Sequence, residues 1–221
     1  MEVLVEEWVD GVTYQIGLAE TQDERDQCYR LRFETFCLNN PRLPTDAYPD
    51  GLERDRHDDY SWHFMAVRSD EPKKVIGTFR LIDCSHGCLL MDNKIDGQPF
   101  ELPDSFMGEA VSPATTVEAA RWIGPARGTA KKGVIVKVSK MLLEAGLKVS
   151  CREGKAHWIC AIDPKPLDHL VQDGWPFKEL LPGVHTYYHD KVKVCILSLS
   201  DQDECYGCDH TVDTTINVKS V

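Results

Sequence analysis

Arginines and carboxylates stand beside apolar runs at four places in this chain. Arg32 and Phe36 lie in Tyr29-Arg-Leu-Arg-Phe-Glu-Thr-Phe36, and Glu53, Asp55 and Asp58 in Pro49-Asp-Gly-Leu-Glu-Arg-Asp-Arg-His-Asp58. Arg80 ends Gly77-Thr-Phe-Arg80, and Glu118 and Arg121 bound Glu118-Ala-Ala-Arg121. Charged side chains in such surroundings are rarely buried unless paired, so the set reads as one network around a site. Arginine holds a carboxylate bidentately, whereas Asp and Glu hold a cation or take a proton from an amine. Together these groups suit a substrate that carries an α-amine.

The elements that must position them follow from local patterns. Thr21 with Glu24 forms a capping box, which predicts a helix from about Gln22 to Cys37 with Arg32 and Phe36 on one face. Residues 39–59 are rich in Pro, Gly and charge and read as a long loop holding Asp55 and Asp58, and loops of that length in a compact domain are usually functional or disordered. Trp62–Val67 and Lys74–Ile82 read as an antiparallel hairpin across Ser69-Asp-Glu-Pro72, with Arg80 on its second strand. Thr115–Ile123 reads as a further strand. Residues three apart on a strand face opposite sides, so Glu118 and Arg121 share a face only across a bulge or a strand end.

The remaining chain supplies a first strand at Val12–Leu18 and an irregular stretch over 84–113 with a short helix near Ser105–Ala110. A glycine-rich loop over 124–133 leads into a helix with apolar positions from Val134 to Val149. A buried-type strand at Ala156–Ile162, a short helix at Pro166–Asp173 and an alternating strand at Lys191–Leu199 complete it. This order predicts an α/β fold, a three-layer mixed sheet with helices on both faces. Residues 1–200 are expected to form a single domain and 201–221 a polar tail.

Bulk properties narrow the class. The chain has 221 residues, 42% hydrophobic and 28% charged, ordinary values for a globular domain, and no apolar run approaches membrane-spanning length. Its acidic first residues do not read as a secretory signal, so we expect a cytoplasmic protein. A net charge of −11 argues against nucleic-acid binding. Residues 121–155 nevertheless hold nine Lys/Arg against two acids, and such a basic island suggests one anionic partner. Within it, Arg127, Lys131 and Lys132 beside Gly128 and Gly133 would hold a phosphate at a helix N-terminus, although no Walker or Gly-x-Gly-x-x-Gly spacing is present. A phosphopantetheine arm, on coenzyme A or on an acidic acyl-carrier protein, would supply that phosphate.

Other chemistries find less support. Cys205-x-x-Cys208-x-His210 has half the ligands of a zinc site and Cys84-x-His86-x-Cys88 could supply others, but nothing in the sequence brings the two together, and we expect no metal. No Gly-x-Ser-x-Gly elbow marks a serine hydrolase.

In their order, Arg32-x-x-x-Phe36, Glu53-x-Asp55-x-x-Asp58, Arg80 in Gly-Thr-Phe-Arg-Leu, and Glu118-x-x-Arg121 resemble the signature of the autoinducer synthases. That family makes acyl-homoserine lactones for quorum sensing on a fold related to the GNAT N-acetyltransferases. The likeness spans roughly residues 25–125. It departs in having no Trp within Cys37-Leu-Asn-Asn-Pro-Arg-Leu43 and in Ala120, where the family has Ser. The stretch from Pro49 to Phe64 also resembles a sister group, the N-acyl amino acid synthases and exosortase-associated acyltransferases. The resemblance implies acyl transfer from an acyl-carrier protein or acyl-CoA to the α-amine of S-adenosylmethionine, with lactonisation after it and no cofactor. It implies Glu118 as general base and a backbone N–H near Arg121–Ile123 for the oxyanion, with Arg121 counted in the catalytic pair. Arg32, Phe36, Asp55, Asp58 and Arg80 would shape the amine pocket. By position, Phe36, Phe79, Phe106 and Met141 would line an acyl pocket. With the sister group, an amino acid replaces S-adenosylmethionine as acceptor.

Overall fold

The computed structural model describes residues 1–126, 128, 130–188 and 190–199. Its frame is a ten-stranded mixed sheet. The strands are β1 Glu2–Val9, β2 Val12–Leu18, β3 Ser61–Arg68, β4 Gly77–Asp83, β5 Lys94–Ile95, β6 Gln98–Pro99, β9 Thr116–Ile123, β10 His157–Ile162, β11 Lys178–Tyr187 and β12 Asp190–Ser198, while β7 Ser105–Phe106 and β8 Glu109–Ala110 form a separate hairpin. The spatial order is β1-β2-β3-β4-β9-β10-β12-β11-β5-β6. Every neighbouring pair is antiparallel except β9 with β10.

Among the described residues four α-helices flank the sheet: α1 Gln22–Phe33, α2 Leu89–Asp92, α3 Lys132–Arg152 and α4 Pro164–Gln172. Thr21 accepts from the Glu24 amide and the Glu24 carboxylate bonds back, completing the predicted capping box. The chain leaves α1 through a π-helical stretch, Glu34–Asn39, instead of continuing as α-helix to Cys37. The apolar stripe of α3, with Val134, Val138, Met141, Leu142 and Ala145, packs on Phe64, Phe79, Leu81 and Trp158 in one core. On the opposite face, Ile82, Leu90, Ile159, Val194 and Tyr187 form a second core under α2. No described helix is long and apolar enough to cross a membrane.

Three expectations are corrected. Residues 2–9 form a strand ahead of the expected first one, and Lys178–Tyr187 forms another. The second was hidden because Pro182-Gly183 interrupts it, and its pairing with β12 shifts register between Leu181 and His185, as a bulge at Gly or Pro does. The region Ser105–Ala110 is a hairpin, not a helix, with Met107 (φ 51°) and Gly108 (φ 89°) at its left-handed turn. The basic island is also largely matched within the molecule. Lys131 pairs with Asp10 (3.0 Å), Lys137 with Glu7 (2.8 Å), Lys140 with Asp173 (3.0 Å), Arg152 with Glu2 (2.9 Å) and Lys155 with Asp83 (2.9 Å). The missed strand β1 supplies much of that opposing charge.

Gly146 lets α3 lie close on the sheet. A Cβ there would come within 2.7 Å of Phe79 Cε1 and 3.0 Å of a Trp158 ring atom. Exchanging Gly for Ala inside a helix normally stabilises it by about 1 kcal/mol. Here overpacking costs about 1–3 kcal/mol, so Gly146→Ala is expected to lower Tm. A Tm equal to or above wild type would show that Phe79 and Trp158 yield freely.

Candidate active site

The site begins at an irregularity in the sheet. Arg80 faces Ala120 and Thr78 faces Ile123, so β9 has one residue more than β4 between those pairs. Arg121 takes up the excess with φ 54°, an uncommon backbone conformation for a side chain of its size. This bulge points the Arg121 guanidinium to the same face as Arg80. Trp122 goes to the other face, where its Nε1 donates to the Ser139 carbonyl of α3 (3.0 Å).

A gap opens beside the bulge. The parallel pair β9 and β10 is in register at His157 with Thr116, Trp158 with Val117 and Ile159 with Glu118. Beyond these, Ala119–Trp122 and Cys160–Ile162 line the walls of a cavity of about 230 Å³. Its α3 and α4 side is apolar, with Phe79, Leu143, Leu170 and Phe177, whereas Phe36, Arg121, Tyr187 and Tyr188 line the other side. At the rim, Arg42 from the long loop pairs with Asp163 (2.8 Å) and Asp190 (3.3 Å). Of the four residues placed in an acyl pocket, Phe36 and Phe79 line the cavity. Met141 is buried in the core under α3, and Phe106 packs on the second core.

Arg32, Arg80 and Arg121 meet Glu53, Asp55 and Asp58 in one network next to this cavity. The Arg32 Nε donates to Glu53, and its Nη1 and Nη2 donate to Asp58 at 2.8 and 3.2 Å. Arg80 grips both Asp55 oxygens at 3.0 Å and also bonds Asp58. Arg121 Nη2 donates to Glu53 Oε1 at 2.8 Å, and its guanidinium lies 5.5 Å from the centre of the Phe36 ring. Glu53 is fully buried between Arg32 and Arg121, as Asp58 is held between Arg32 and Arg80. Burial alone would raise the Glu53 carboxyl, but Arg121 and Arg32 outweigh that and hold it down to about 2. Asp58 is held below its ordinary range by Arg32 and Arg80 against the same burial. His63, which bonds the Asp58 carbonyl at 3.0 Å, is driven by burial to about 4 and is neutral.

Arg32, Glu53, Asp58 and Arg80 are thus interior and paired with one another, with the buried Arg80 Nε left without a hydrogen bond, while Asp55 and Arg121 reach solvent in part. The network is the wall behind the cavity more than its lining. A salt-bridged wall of this kind holds the long loop against α1 and the sheet and fixes where Arg121 and Phe36 sit.

Glu118 is handled differently. Its carboxylate accepts from the Leu90 amide (3.0 Å) and has no salt-bridge partner among the described residues. Burial pushes its pKa up to about 7, and the Leu90 amide, the nearby Cys88 and the more distant Arg80 and Arg121 offset the rise only partly. A carboxylate poised near neutrality is the form a general base needs. Glu118 is only 2% exposed and is not among the described residues that line the cavity.

The sequence reading missed the place of Glu53 between Arg32 and Arg121, the rim pairing of Arg42, and Tyr187 and Tyr188. Glu53 was legible in its spacing with Asp55 and Asp58. The two tyrosines lie at the end of the strand that Pro182-Gly183 disguised. Lys131 and Lys132 start α3 and are exposed, whereas Arg127 lies outside the described residues, as do Cys205, Cys208 and His210. Among the described residues no three metal-ligating side chains converge.

A splayed parallel pair within a mixed sheet, a bulged central strand and a long helix after it make a GNAT-like fold, the architecture expected from the sequence. The family model for the acetyltransferase (GNAT) domain matches residues 31–120. Among solved structures the chain is similar to the AHL synthase LasI, with 16% identity, 89% of this chain and 95% of LasI covered, and TM-score 0.64. It is similar to TofI, solved in a ternary complex with an inhibitor and MTA, at 15% identity over 84% of this chain and 91% of TofI, TM-score 0.61. A third is BjaI, a CoA-dependent acyl-homoserine lactone synthase solved with SAM and isopentyl-CoA, at 17% identity over 82% of this chain and 81% of BjaI, TM-score 0.55. No curated protein matches by sequence. The resemblance to the autoinducer synthases therefore holds in the fold.

Proposed function

We propose that this protein is an N-acyltransferase of the acyl-homoserine lactone synthase type. It moves an acyl group from a pantetheine thioester to the α-amine of S-adenosylmethionine. The observation that carries the reading is the cavity in the sheet gap, apolar on one side, with Arg121 and Phe36 on the other and buried Glu118 behind. An acyl thioester lies across the gap with its chain toward Phe79 and Leu143. The acceptor enters on the Arg121 side. Glu118 takes the amine proton, and a backbone N–H at the bulge steadies the tetrahedral oxyanion, a contribution of about 10²–10³-fold when one such donor is removed. The acceptor's own carboxylate then attacks its γ-carbon, closing the lactone and expelling methylthioadenosine.

Exposed Lys131 and Lys132 at the start of α3 are the candidates for the carrier's phosphate. The Lys131 pairing with Asp10 is exposed and so worth little, which leaves it exchangeable for a carrier protein or coenzyme A. Absence of the family's Trp after Phe36 favours a second reading in which a free amino acid is the acceptor. Mixing the protein with acyl-CoA or acyl-carrier protein, with and without S-adenosylmethionine or amino acids, separates them. Thiol release with methylthioadenosine, only when S-adenosylmethionine is present, is expected. Release only with an amino acid moves the assignment to N-acyl amino acid synthesis, and no release with any pair overturns acyl transfer.

A further inference from the structure

Two thiols stand opposite each other in the wall of the cavity. Cys160 of β10 and Cys195 of β12 are register partners in an antiparallel pair, between Ile159 with Ile196 and Ala161 with Val194. The Cα atoms of directly opposite residues lie about 4.5 or 5.5 Å apart, according to where the ladder bonds fall. Their side chains share one face of the sheet, with Cβ atoms about 4.5–5.5 Å apart. A disulfide accepts Cα separations of about 4.4–6.8 Å and Cβ separations of about 3.5–4.5 Å. Either kind of pair therefore closes with a movement of about 1 Å or less and no change of register. Both cysteines are free. They pack in one small cluster with Leu167 of α4, against Ala119, Ile162 and Phe177.

The two differ in access. Cys160 lines the cavity, and Cys195 stands behind it on the next strand, 1% exposed. The cavity holds about 230 Å³, several times the roughly 30 Å³ that one water occupies, so a small peroxide can reach the Cys160 sulfur. Cys84 and Cys88 also share a cluster, but it is the second core, and neither is among the described residues that line the cavity. Burial pushes the Cys195 thiol up to about 12 and Cys160 well above its ordinary value. Thiolate is the reactive form, so the pair should oxidise slowly at neutral pH and faster as pH rises.

We propose that Cys160 and Cys195 form a modification site, a dithiol in the cavity wall that hydrogen peroxide converts reversibly into a cross-strand disulfide. The Cys160 thiolate attacks one peroxide oxygen, the O–O bond breaks, and the hydroxide that leaves is protonated to water. Cys160 is then a sulfenic acid, which condenses with a neighbouring thiol. The Cys195 thiolate attacks its sulfur, the S–O bond breaks, and a second hydroxide leaves as water. Two thiols thus lose two electrons and two protons, and one hydrogen peroxide becomes two waters. A dithiol reductant reverses the bond by thiol–disulfide exchange. The disulfide ties β10 to β12 directly under α4, on the apolar side of the cavity, and it forms whether or not the protein transfers acyl groups.

The test treats the purified full-length protein with hydrogen peroxide at pH 8, blocks the remaining thiols, and maps the peptides by mass spectrometry with and without dithiothreitol. One peptide pair joined through Cys160 and Cys195 is expected, separated by dithiothreitol. Oxidation should raise Tm by about 4–16 °C, the usual effect of a disulfide in a chain of this size. Cys160→Ala and Cys195→Ala should each lose both the joined pair and the Tm rise. Mapping of the wild type decides the question even where a variant folds poorly. A folded wild type in which Cys160 stays reduced, or passes to sulfinic acid without joining Cys195, overturns the site. So does a joined pair that forms only after denaturation, or a Tm rise that survives in both variants.

Discussion

Glu118→Gln is expected to lower turnover by about 10²–10⁴-fold, the range for loss of a general base, while the fold stays intact. In the wild type the rate should rise with pH through about 7, where the buried carboxyl ionises, and level off above it. The Glu118→Gln variant should lack that inflection. Stability should move the other way. The folded-state pKa lies above the ordinary value of 4.5, so folding favours the protonated acid. This group's contribution is complete below about 4.5 and is lost as pH rises through about 7. At pH 8 the Glu118→Gln variant should be at least as stable as wild type. Near-normal turnover in the variant would remove Glu118 as the base, whatever its pKa.

Arg32→Ala should give the largest loss of stability, about 3–5 kcal/mol, the range for breaking a buried ion pair. The guanidinium is 1% exposed and bonds both Glu53 and Asp58. Its removal leaves three carboxylates facing two arginines in the interior. Acid weakens the same network in the wild type. Glu53 and Asp58 have folded-state pKa values below their ordinary ones, so their stabilisation is present above about 4.5 and fades as pH falls through about 2. Urea unfolding at pH 7 and pH 3 checks both statements. The wild type should lose stability between them, and Arg32→Ala should lose less. A cost under about 1 kcal/mol at pH 7 would mean that the pairs behave as solvated surface bridges.

Much of this architecture could be read before any coordinates. The capping box at Thr21 and Glu24, the β3–β4 hairpin and the amphipathic stripe of α3 are local signals with a fixed period, and each folded as its period requires. The mutual attraction of the Arg and Asp/Glu positions was legible from residue type alone, and so was the need for a bulge between Glu118 and Arg121. What could not be read depends on long-range pairing. Strand β1 carries Glu2, Glu6 and Glu7 in a pattern that looks like a solvated terminus until Lys137 and Arg152 of α3 lie across from it. The division of the charged set into an interior wall and a partly exposed edge also escapes spacing. It depends on how deeply loop, helix and strand pack, which is why the full burial of Glu53 emerges only in three dimensions.

The seam between β9 and β10 has a mechanical meaning. Two antiparallel leaves, each tightly laddered within itself, are joined at the centre of the sheet by three residue pairs. Under the proposed function, a thioester stem seated in the opening would act as additional rungs and so join the sheet's own framework. Slow-exchanging amides should then extend along both rims of the opening when the carrier is bound, and the leaves should come apart there first when it is absent.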